Sequence, residues 1–391
     1  MLESIIAQWL NLPNVEIICV RTDKGITEIE IGYSKGPLIC PKCGQGSTFT
    51  YDFRIRRLRD LSVFEYATYL VILRRRLLCS CCGVKIEWLS WCEPYGRFSV
   101  RFTEYIVRLC KFLPVKQVAF LVGLDWKTVK EIDKRYLEEE FSNLDYSSLK
   151  ILTIDEVSYK SGHKYITVVL DLERTRVVWA GEGRGKETLD KVFTEIGEKQ
   201  AQEILAIATD MWDPYLRSIS EYTPQAKVVF HVIAEYLRMI DRVRNEEYRA
   251  AFNTGKRVIK GSKYLLLKNE ENLTENQKER LKELLSVNET LNTVYILKDE
   301  LKRLWECRAN EESSSFLEAW MGKAMASANK ELIKFAKKLR RYSYGLINHA
   351  TCHINSAKLE GVNNKIKVIK RRSYGFHDLT YFILKIKQGF T

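Results

Sequence analysis

The sequence predicts a multidomain α/β protein, in which a mixed β-sheet is interrupted by a helical insertion and preceded by a cysteine-rich module and a helical hairpin. Three observations support this fold class. Short apolar strands alternate with helical segments from residue 149 onward, as they do in an α/β sheet. Residues 233–344 have the periodicity and the Glu, Lys, Leu and Arg content of helices. Two close cysteine pairs precede both regions.

The composition indicates a globular protein with a polyanionic partner. The chain has 391 residues, 46% of them hydrophobic, which suits about two to four packed domains. Its formal net charge is +13, and nucleic acid is the commonest large polyanion. An ordinary basic protein without such a partner remains the alternative. No apolar run is long enough for a membrane span, so we expect a cytoplasmic protein with reduced thiols.

Residues 1–95 are predicted to form a hairpin followed by a zinc-binding module. Residues 15–33 alternate apolar and polar side chains around the turn Asp23-Lys24-Gly25, which is typical of a hairpin. A basic, strand-like stretch follows and ends in Arg74, Arg75 and Arg76. These three arginines are candidates for contacts with DNA phosphates, and a solvated charged face is the alternative.

The strongest single motif is the combination of Cys40-x2-Cys43 with Cys79-x2-Cys82. Each pair offers two sulfurs from one tight turn, and Zn²⁺ takes four such ligands in a tetrahedron. Cys81 could replace Cys79 or Cys82, so the second pair stays open by one residue. Four sulfurs leave no open coordination position, and the predicted Zn²⁺ is therefore structural.

Residues 96–147 are predicted to form a helix-turn-helix DNA-binding domain. Ala119 allows two helices to cross closely, Gly123 turns the chain, and Asp125 caps the second helix. A helical hairpin inside a small bundle is the alternative. If the motif binds DNA, the second helix presents four polar side chains to the major groove, namely Lys127, Thr128, Lys130 and Lys134.

Residues 148–232 are predicted to be the first part of a catalytic core. Asp155 and Asp210 each follow a short apolar strand, and carboxylates at the ends of neighbouring strands can point at one spot. Carboxylate oxygens suit Mg²⁺ or Mn²⁺, and a pair of such ions can activate a water or a 3′ hydroxyl. Glu156 competes with Asp155 for this role, and an aspartate at a strand end is often only a turn former.

Residues 345–391 follow the helical insertion at 233–344 and supply a closing helix over residues 356–372. Glu360, Asn364 and Lys367 share one face of this helix at i, i+4 and i+7. A carboxylate followed by a basic face is what a metal site beside a DNA backbone needs, and a solvated basic helix is the alternative. The DNA-contact candidates in this segment are Asn364, Lys367, Lys370, Arg371 and Arg372.

The segment from Leu359 through Glu360 to Gly375-Phe376 resembles the C-terminal signature of the ISL-three family of insertion-sequence transposases. Thr153-Ile-Asp155-Glu and Thr209-Asp210-Met-Trp212 are similar to that family's first and second acidic motifs. The resemblance covers nearly the whole chain. It implies an RNase H-like catalytic domain whose Asp-Asp-Glu metal site is Asp155, Asp210 and Glu360. It also implies cut-and-paste movement of a DNA element bounded by inverted repeats.

From these observations we predict a DNA transposase that cleaves phosphodiester bonds with two metal ions and transfers strands into target DNA. Its partners would be double-stranded DNA at the nucleoid and at least a second copy of the chain, since two DNA ends must be paired. This chain departs from the family's Asp-x-Phe-His segment. Val228-Val-Phe230 runs straight into His231, and the aspartate is absent. A catalytically decayed or domesticated DNA-binding protein is therefore the alternative. A structure-selective nuclease is disfavoured, since such enzymes need no sequence-specific DNA-binding region.

Overall fold

The structure is a computed structural model that describes residues 2–33, 36–160, 162, 164–230, 232–352, 354, 356–373 and 375–390. Within these ranges it does not describe the side chains of residues 2–5, 253, 254, 356, 357, 359 and 360. The chain divides into two compact units. The first comprises residues 1–143 with 371–377, and the second comprises residues 144–370 with 378–391.

The first unit begins with helix α1 and a mixed sheet. The predicted hairpin forms between β1 and β2. Its two turn residues, Lys24 and Gly25, both have left-handed backbone conformations, with φ of 43° and 78°, and glycine adopts this conformation without strain. The long strand β6 pairs in parallel with β2 and antiparallel with β5 and β7. A short antiparallel pair, β3 and β4, lies beside the sheet. The bounds are α1 Leu2–Leu10, β1 Val15–Asp23, β2 Ile26–Tyr33, β3 Leu38–Ile39, β4 Gly46–Ser47, β5 Thr50–Arg59, β6 Ala67–Cys79 and β7 Gly83–Ile86.

Three helices complete the first unit, α2 (Val100–Phe112), α3 (Val115–Val122) and α4 (Trp126–Glu140). The predicted turn is confirmed. Gly123 ends α3 in the left-handed conformation at φ 67°, and the Asp125 carboxylate accepts a hydrogen bond from the Lys127 amide at 2.9 Å. Buried apolar side chains from all three helices form one core, which includes Phe102, Ile106, Val118 and Val129.

The second unit contains the predicted mixed sheet, with strand order β10-β9-β8-β11-β12. The antiparallel strands β8, β9 and β10 come first, and β11 and β12 then run parallel to β8. Helices α5 and α7 pack on each other, and side chains of both contribute to the core of this sheet. The bounds are β8 Ile151–Lys160, β9 Lys164–Asp171, β10 Arg176–Glu182, α5 Lys186–Ile196, α6 Glu198–Ala201, β11 Ala206–Thr209, α7 Asp213–Tyr222 and β12 Lys227–Phe230.

One strand is longer than the sequence predicts. The apolar run suggests that β8 ends before Asp155, but the strand continues to Lys160 because Val157 pairs with Ile166 and Ser158 with Tyr165 of β9. Asp155 therefore lies in the middle of β8, opposite Val168. Asp210 follows β11 directly, as predicted. Since Thr153 of β8 pairs with Ala208 of β11, the two aspartates reach the same level of the sheet on adjacent strands.

The predicted helical insertion forms its own core after β12. Tyr236 is fully buried there, with its ring 5.1 Å from that of Phe335 and 5.9 Å from that of Trp320. Its last helices return to β12, where the Asn348 amide donates to the Val228 carbonyl at 2.9 Å. The bounds are α8 Ile233–Ala250, α9 Asn253–Ile259, α10 Lys263–Leu267, α11 Glu275–Val287, α12 Glu289–Lys302, α13 Asn310–Ala326, α14 Lys330–Arg341, α15 Ser343–Ile347 and α16 His349–Cys352.

Two helices follow the insertion, α17 (Ser356–Arg372), with the predicted bounds, and α18 (Leu379–Gln388). Val362, Ile366 and Ile369 form the buried stripe of α17. Helix α18 begins at Asp378, whose carboxylate accepts from the Tyr381 amide at 3.0 Å, and it packs against β10. Among the described residues, no helix combines the length and apolar character that crossing a bilayer requires.

Candidate active site and metal centre

Four cysteines meet beside the β3–β4 pair and the end of β6. The sulfur atoms of Cys40, Cys43, Cys79 and Cys82 all lie within 4.8 Å of one another, and Cys43 Sγ is 3.5 Å from Cys79 Sγ. A tetrahedron with Zn–S bonds of about 2.3 Å has S–S edges of about 3.8 Å, so the cluster has the size of a zinc site. A hydrogen bond from the Cys43 backbone amide lowers the pKa of Cys40 to about 7, which favours the thiolate that a metal binds.

The structure resolves the choice within the second cysteine pair. Cys81 is exposed, and its thiol is 3.4 Å from the Gln45 side-chain carbonyl, outside the four-sulfur cluster. Gly83, at φ 70°, follows Cys82 and turns the chain into β7, just as Gly44, at φ 74°, follows Cys43. The ligand candidates are therefore Cys79 and Cys82, with no role for Cys81 in the described cluster.

The predicted DNA contact of the arginine cluster needs correction. Arg74 is 5% exposed, with its guanidinium 3.3 Å from the Glu93 carbonyl, so it cannot reach a phosphate from this position. Its register explains this, because Arg74 lies on the side of β6 that also buries Ile72. Arg75 is bound to Glu87 at 2.6 Å, and Arg76 forms an ion pair with Asp52. The three arginines are therefore largely occupied by internal carboxylate and carbonyl partners.

Helix α4 presents some of the predicted side chains. Lys127 is exposed, whereas Thr128 and Lys130 are partly buried. The Lys134 side chain is 22% exposed and lies 3.9 Å from the Glu138 carboxylate. Of the four predicted side chains, Lys127 is therefore the most accessible, and it lies in the first turn of α4, the end that a DNA-binding helix-turn-helix points at base edges.

Three acidic side chains share one region of the second sheet, Asp155 and Glu156 on β8 and Asp210 after β11. Asp155 is partly buried, and its carboxylate accepts the Glu156 backbone amide at 2.7 Å. Burial raises the pKa of Asp155, and burial together with the negative charge of Asp155 raises the pKa of Asp210 to about 6. Asp210 nevertheless keeps a solvent-exposed face. The mutual repulsion of these carboxylates favours a neutralising cation, and the exposed face of Asp210 is open to one.

Helix α17 makes polar contacts with the sheet at three points, two of them on β8 and one at the residue that follows β9. The Lys358 ammonium is 3.3 Å from the Leu172 carbonyl, the Asn363 amide donates to the Asp155 carboxylate, and the Lys370 ammonium is 3.3 Å from the Ser158 carbonyl. Lys367 is exposed and close enough for its charge to lower the pKa of Asp155, against the effect of burial. The predicted contact residue on this helix, Asn364, is exposed instead.

Two predicted site residues cannot be placed in full. The backbone of α17 includes Glu360, one helical turn before Asn363, but the Glu360 side chain lies outside the described part of the chain. His231, at the point where the sequence departs from the family pattern, also lies outside it. Of the basic residues at the end of α17, Arg371 is exposed and Arg372 donates to the Lys111 carbonyl at 3.0 Å.

The side-chain chemistry at the carboxylate cluster suits Mg²⁺ or Mn²⁺, although among the described residues only the four cysteines bring three or more candidate ligand atoms within reach of one ion. Asp155, Glu156 and Asp210 offer oxygen ligands, which both ions prefer to nitrogen or sulfur. The Asn363 carbonyl oxygen is buried beside Asp155 and has no hydrogen-bond partner among the described residues. A buried acceptor without a donor is costly, and a cation or its water would satisfy it.

Comparison with known proteins places this chain in a family. The transposase profile of the ISL3 DDE domain matches residues 152–386. The helix-turn-helix domain of transposase family ISL3 matches residues 87–137, and the zinc finger of the transposases of IS204, IS1001, IS1096 and IS1165 matches residues 37–82. The transposase for insertion sequence element IS1001 of Bordetella parapertussis is 39% identical, over 90% of this chain and 89% of that protein. The chain belongs to the ISL3 family of transposases.

The same family likeness extends to a transposase for insertion sequence element IS1557 of Mycobacterium tuberculosis, which is 26% identical over 86% of this chain and 82% of that protein. Among solved structures, the catalytic core domain of the HTLV-2 integrase is similar over 32% of this chain and 90% of its own, at 17% identity and a TM-score of 0.17, too low to support an argument. The matched ranges confirm the predicted order of zinc-binding module, helix-turn-helix and DDE transposase domain along the chain.

Sequence reasoning missed two residues that face the carboxylates of this ISL3 transposase. Asn363 donates to the Asp155 carboxylate, whereas the residue that the sequence predicts for this face, four positions after Glu360, is the adjacent Asn364. Arg238 of α8 is exposed, and its positive charge opposes the rise in pKa of Asp155, Glu156 and Asp210. Nothing in the sequence distinguishes Arg238 from the other basic residues of the insertion, because its position depends on how α8 leaves β12.

Proposed function

We propose that this chain cleaves the ends of its own insertion sequence with two divalent metal ions and transfers the cut strands to target DNA. Asp155, Asp210 and Glu360 would hold the ions, with Glu156 beside them. When bound, the ions would supply the activated water or 3′ hydroxyl and stabilise the leaving oxygen. The observation that supports this most is the bond from Asn363 of α17 to Asp155 of β8. It brings the backbone of Glu360, one turn away, to the strand that carries the first carboxylate.

We assign positioning, cation binding and charge neutralisation to different side chains of the site. Asp155 and Asp210 on adjacent strands would fix the position of the reacting phosphate relative to the sheet, and Asn363 would hold α17 against Asp155. With its pKa raised to about 6, Asp210 is mostly ionised at pH 7 and can take a cation, whereas below pH 6 a proton competes for the same carboxylate. Lys367 and Arg238 add positive charge around the cluster, where a DNA backbone would otherwise be repelled by the carboxylates.

The first unit would bind the terminal inverted repeats. Lys127 and Thr128 at the start of α4 are the candidates for base contacts, with Lys130 and Lys134 nearer to the phosphates. A structural Zn²⁺ held by Cys40, Cys43, Cys79 and Cys82 would stabilise the module that precedes α2. Because two element ends must be joined, the working form would be a dimer or a larger assembly on double-stranded DNA.

The test is cleavage of a duplex that carries the element's own end, in the presence of Mg²⁺ or Mn²⁺. Asp155→Ala, Asp210→Ala and Glu360→Ala should each abolish cleavage while leaving DNA binding intact. Glu173→Ala is the matched control, since Glu173 is an exposed carboxylate on the β9–β10 turn at the other end of the sheet, and this variant should cleave like the parent. A parent protein that binds the element end without cutting it would favour the decayed DNA-binding alternative instead.

A further inference from the structure

The loop between β10 and α5 is fixed firmly to the sheet. Gly183 has a φ of 106°, and its amide donates to the Tyr165 carbonyl at 2.9 Å. The Thr167 hydroxyl donates to the Gly183 carbonyl at 2.7 Å and contacts the Tyr215 hydroxyl at the same distance. A side chain at position 183 would meet the Thr188 hydroxyl at 2.5 Å. The residue that follows, Arg184, therefore projects from a backbone held in one conformation.

Two aromatic rings support the Arg184 side chain. Its guanidinium carbon lies 4.4 Å from the centre of the Tyr165 ring and 5.2 Å from that of the Trp212 ring. The Trp212 indole nitrogen donates to the Arg184 carbonyl at 3.0 Å, so the same tryptophan anchors both the backbone and the charge. Trp212 lies two residues after Asp210. Contact with ring faces leaves the N–H edge of a guanidinium available for hydrogen bonds.

The carboxylate partner of Arg184 is loosely held. The Arg184 guanidinium is 3.6 Å from the Glu156 carboxylate, too far for a hydrogen bond, and the two side chains remain 41% and 27% exposed. Glu156 follows Asp155 on β8 and therefore leaves the strand on its other face. Arg184 nevertheless stands beside the carboxylate cluster, because its partner Trp212 lies two residues after Asp210 and the charge of Glu156 acts on Asp210. An exposed ion pair of this length contributes little to stability, so replacing the Glu156 carboxylate by another anion costs little free energy.

We propose that Arg184 binds a backbone phosphate of the DNA at the rim of this site, and that Glu156 is the partner it leaves when DNA arrives. The guanidinium fork matches the geometry of a phosphate, and the two rings restrict its orientation before binding. A residue so placed would hold the strand beside the carboxylates without coordinating a metal. This inference rests on the proposed function, since it assumes that DNA enters the carboxylate site.

Equilibrium binding of the full chain to a duplex carrying its element end, without added Mg²⁺ or Mn²⁺, tests the proposal. Each phosphate neutralised by a cationic side chain makes the slope of log Kobs against log salt concentration about 0.9 more negative. Arg184→Ala should make that slope about 0.9 less negative, whereas Arg184→Lys, which keeps the charge, should preserve it. Glu156→Gln should tighten binding, because it frees Arg184 from its resting partner.

Arg174→Ala is the matched control. Arg174 is an exposed arginine on the β9–β10 turn, at the opposite end of β10 from Arg184, and its loss should leave the slope unchanged. An Arg184→Ala protein with the parent's slope would overturn the proposal, even if Asp155→Ala abolishes cleavage and so upholds the proposed function. A changed slope together with normal cleavage by Asp155→Ala would uphold Arg184 as a phosphate ligand and reject the carboxylate mechanism.

Discussion

Substitution of Asn363 by alanine should loosen α17 from the sheet. The change removes the amide that donates to the Asp155 carboxylate and leaves a partly buried charge with one fewer donor. A hydrogen bond to a charged group contributes about 1.5–3 kcal/mol, and every 1.4 kcal/mol is a factor of about ten in an equilibrium. The fraction of molecules in which α17 has left β8 should therefore rise about tenfold to a hundredfold.

Hydrogen–deuterium exchange of the full chain measures this directly. Peptides from residues 356–372 should exchange about tenfold to a hundredfold faster in Asn363→Ala, by the same equilibrium, if they exchange through this local opening. Peptides from the helical insertion should be unaffected. Asn364→Ala is the matched control, because it changes the adjacent, exposed asparagine of the same helix. Equal exchange of α17 in the two variants would refute the reasoning.

Three further predictions concern pH, metal and stability. Asp210 must ionise to bind a cation, and its pKa of about 6 leaves about one-tenth of it ionised at pH 5, so cleavage at subsaturating Mg²⁺ should fall about tenfold between pH 7 and pH 5. Cys82→Ser should lower the zinc content of the purified chain from about one ion per molecule, whereas Cys81→Ser should not, as elemental analysis would show. Burial lowers the pKa of Lys298 to about 8, so the unfolded chain binds more protons between pH 8 and pH 10. The free energy of unfolding of the parent, relative to that of Lys298→Met, should therefore increase by about 2–3 kcal/mol from pH 8 to pH 10, as urea unfolding would measure.

Each of these three has a clear contrary result. A flat cleavage profile from pH 5 to pH 7 would mean that Asp210 is already ionised at pH 5 or is not needed. Zinc loss in Cys81→Ser that equals the loss in Cys82→Ser would contradict the ligand assignment. Lys298 is 1% exposed and donates to the Leu266 carbonyl at 2.9 Å. A parent and a Lys298→Met protein with the same pH dependence of stability would show that this amine stays charged throughout.

Local signals account for what the sequence predicted well. Gly123 and Asp125 define the turn of the helix-turn-helix through backbone conformation and capping, which depend on a few neighbouring residues. Each cysteine pair follows from the spacing of zinc ligands, since two sulfurs come from one tight turn, and the demand for four ligands predicts that the two pairs meet. The bounds of α17 follow from its apolar periodicity.

Long-range pairing accounts for what the sequence missed. The end of β8 depends on how far β9 pairs with it, so Asp155 lies in mid-strand although the apolar run ends just before it. Arg74 is buried because of its position on β6, and a one-residue shift in register would expose it. Asn363 and Asn364 are equivalent by helical periodicity from Glu360, and only the rotation of α17 against β8 distinguishes them.

The helical insertion lies between the two parts of the carboxylate site along the chain, so the ribosome makes these parts at different times. Asp155 and Asp210 precede α8, whereas α17 follows α16. While a ribosome is still translating the insertion, the nascent polypeptide already contains both aspartates but lacks the helix that binds the first of them. On the proposed mechanism, an unfinished or prematurely terminated product is unable to break DNA. On that mechanism, the order of the segments confines strand scission to chains that extend through α17.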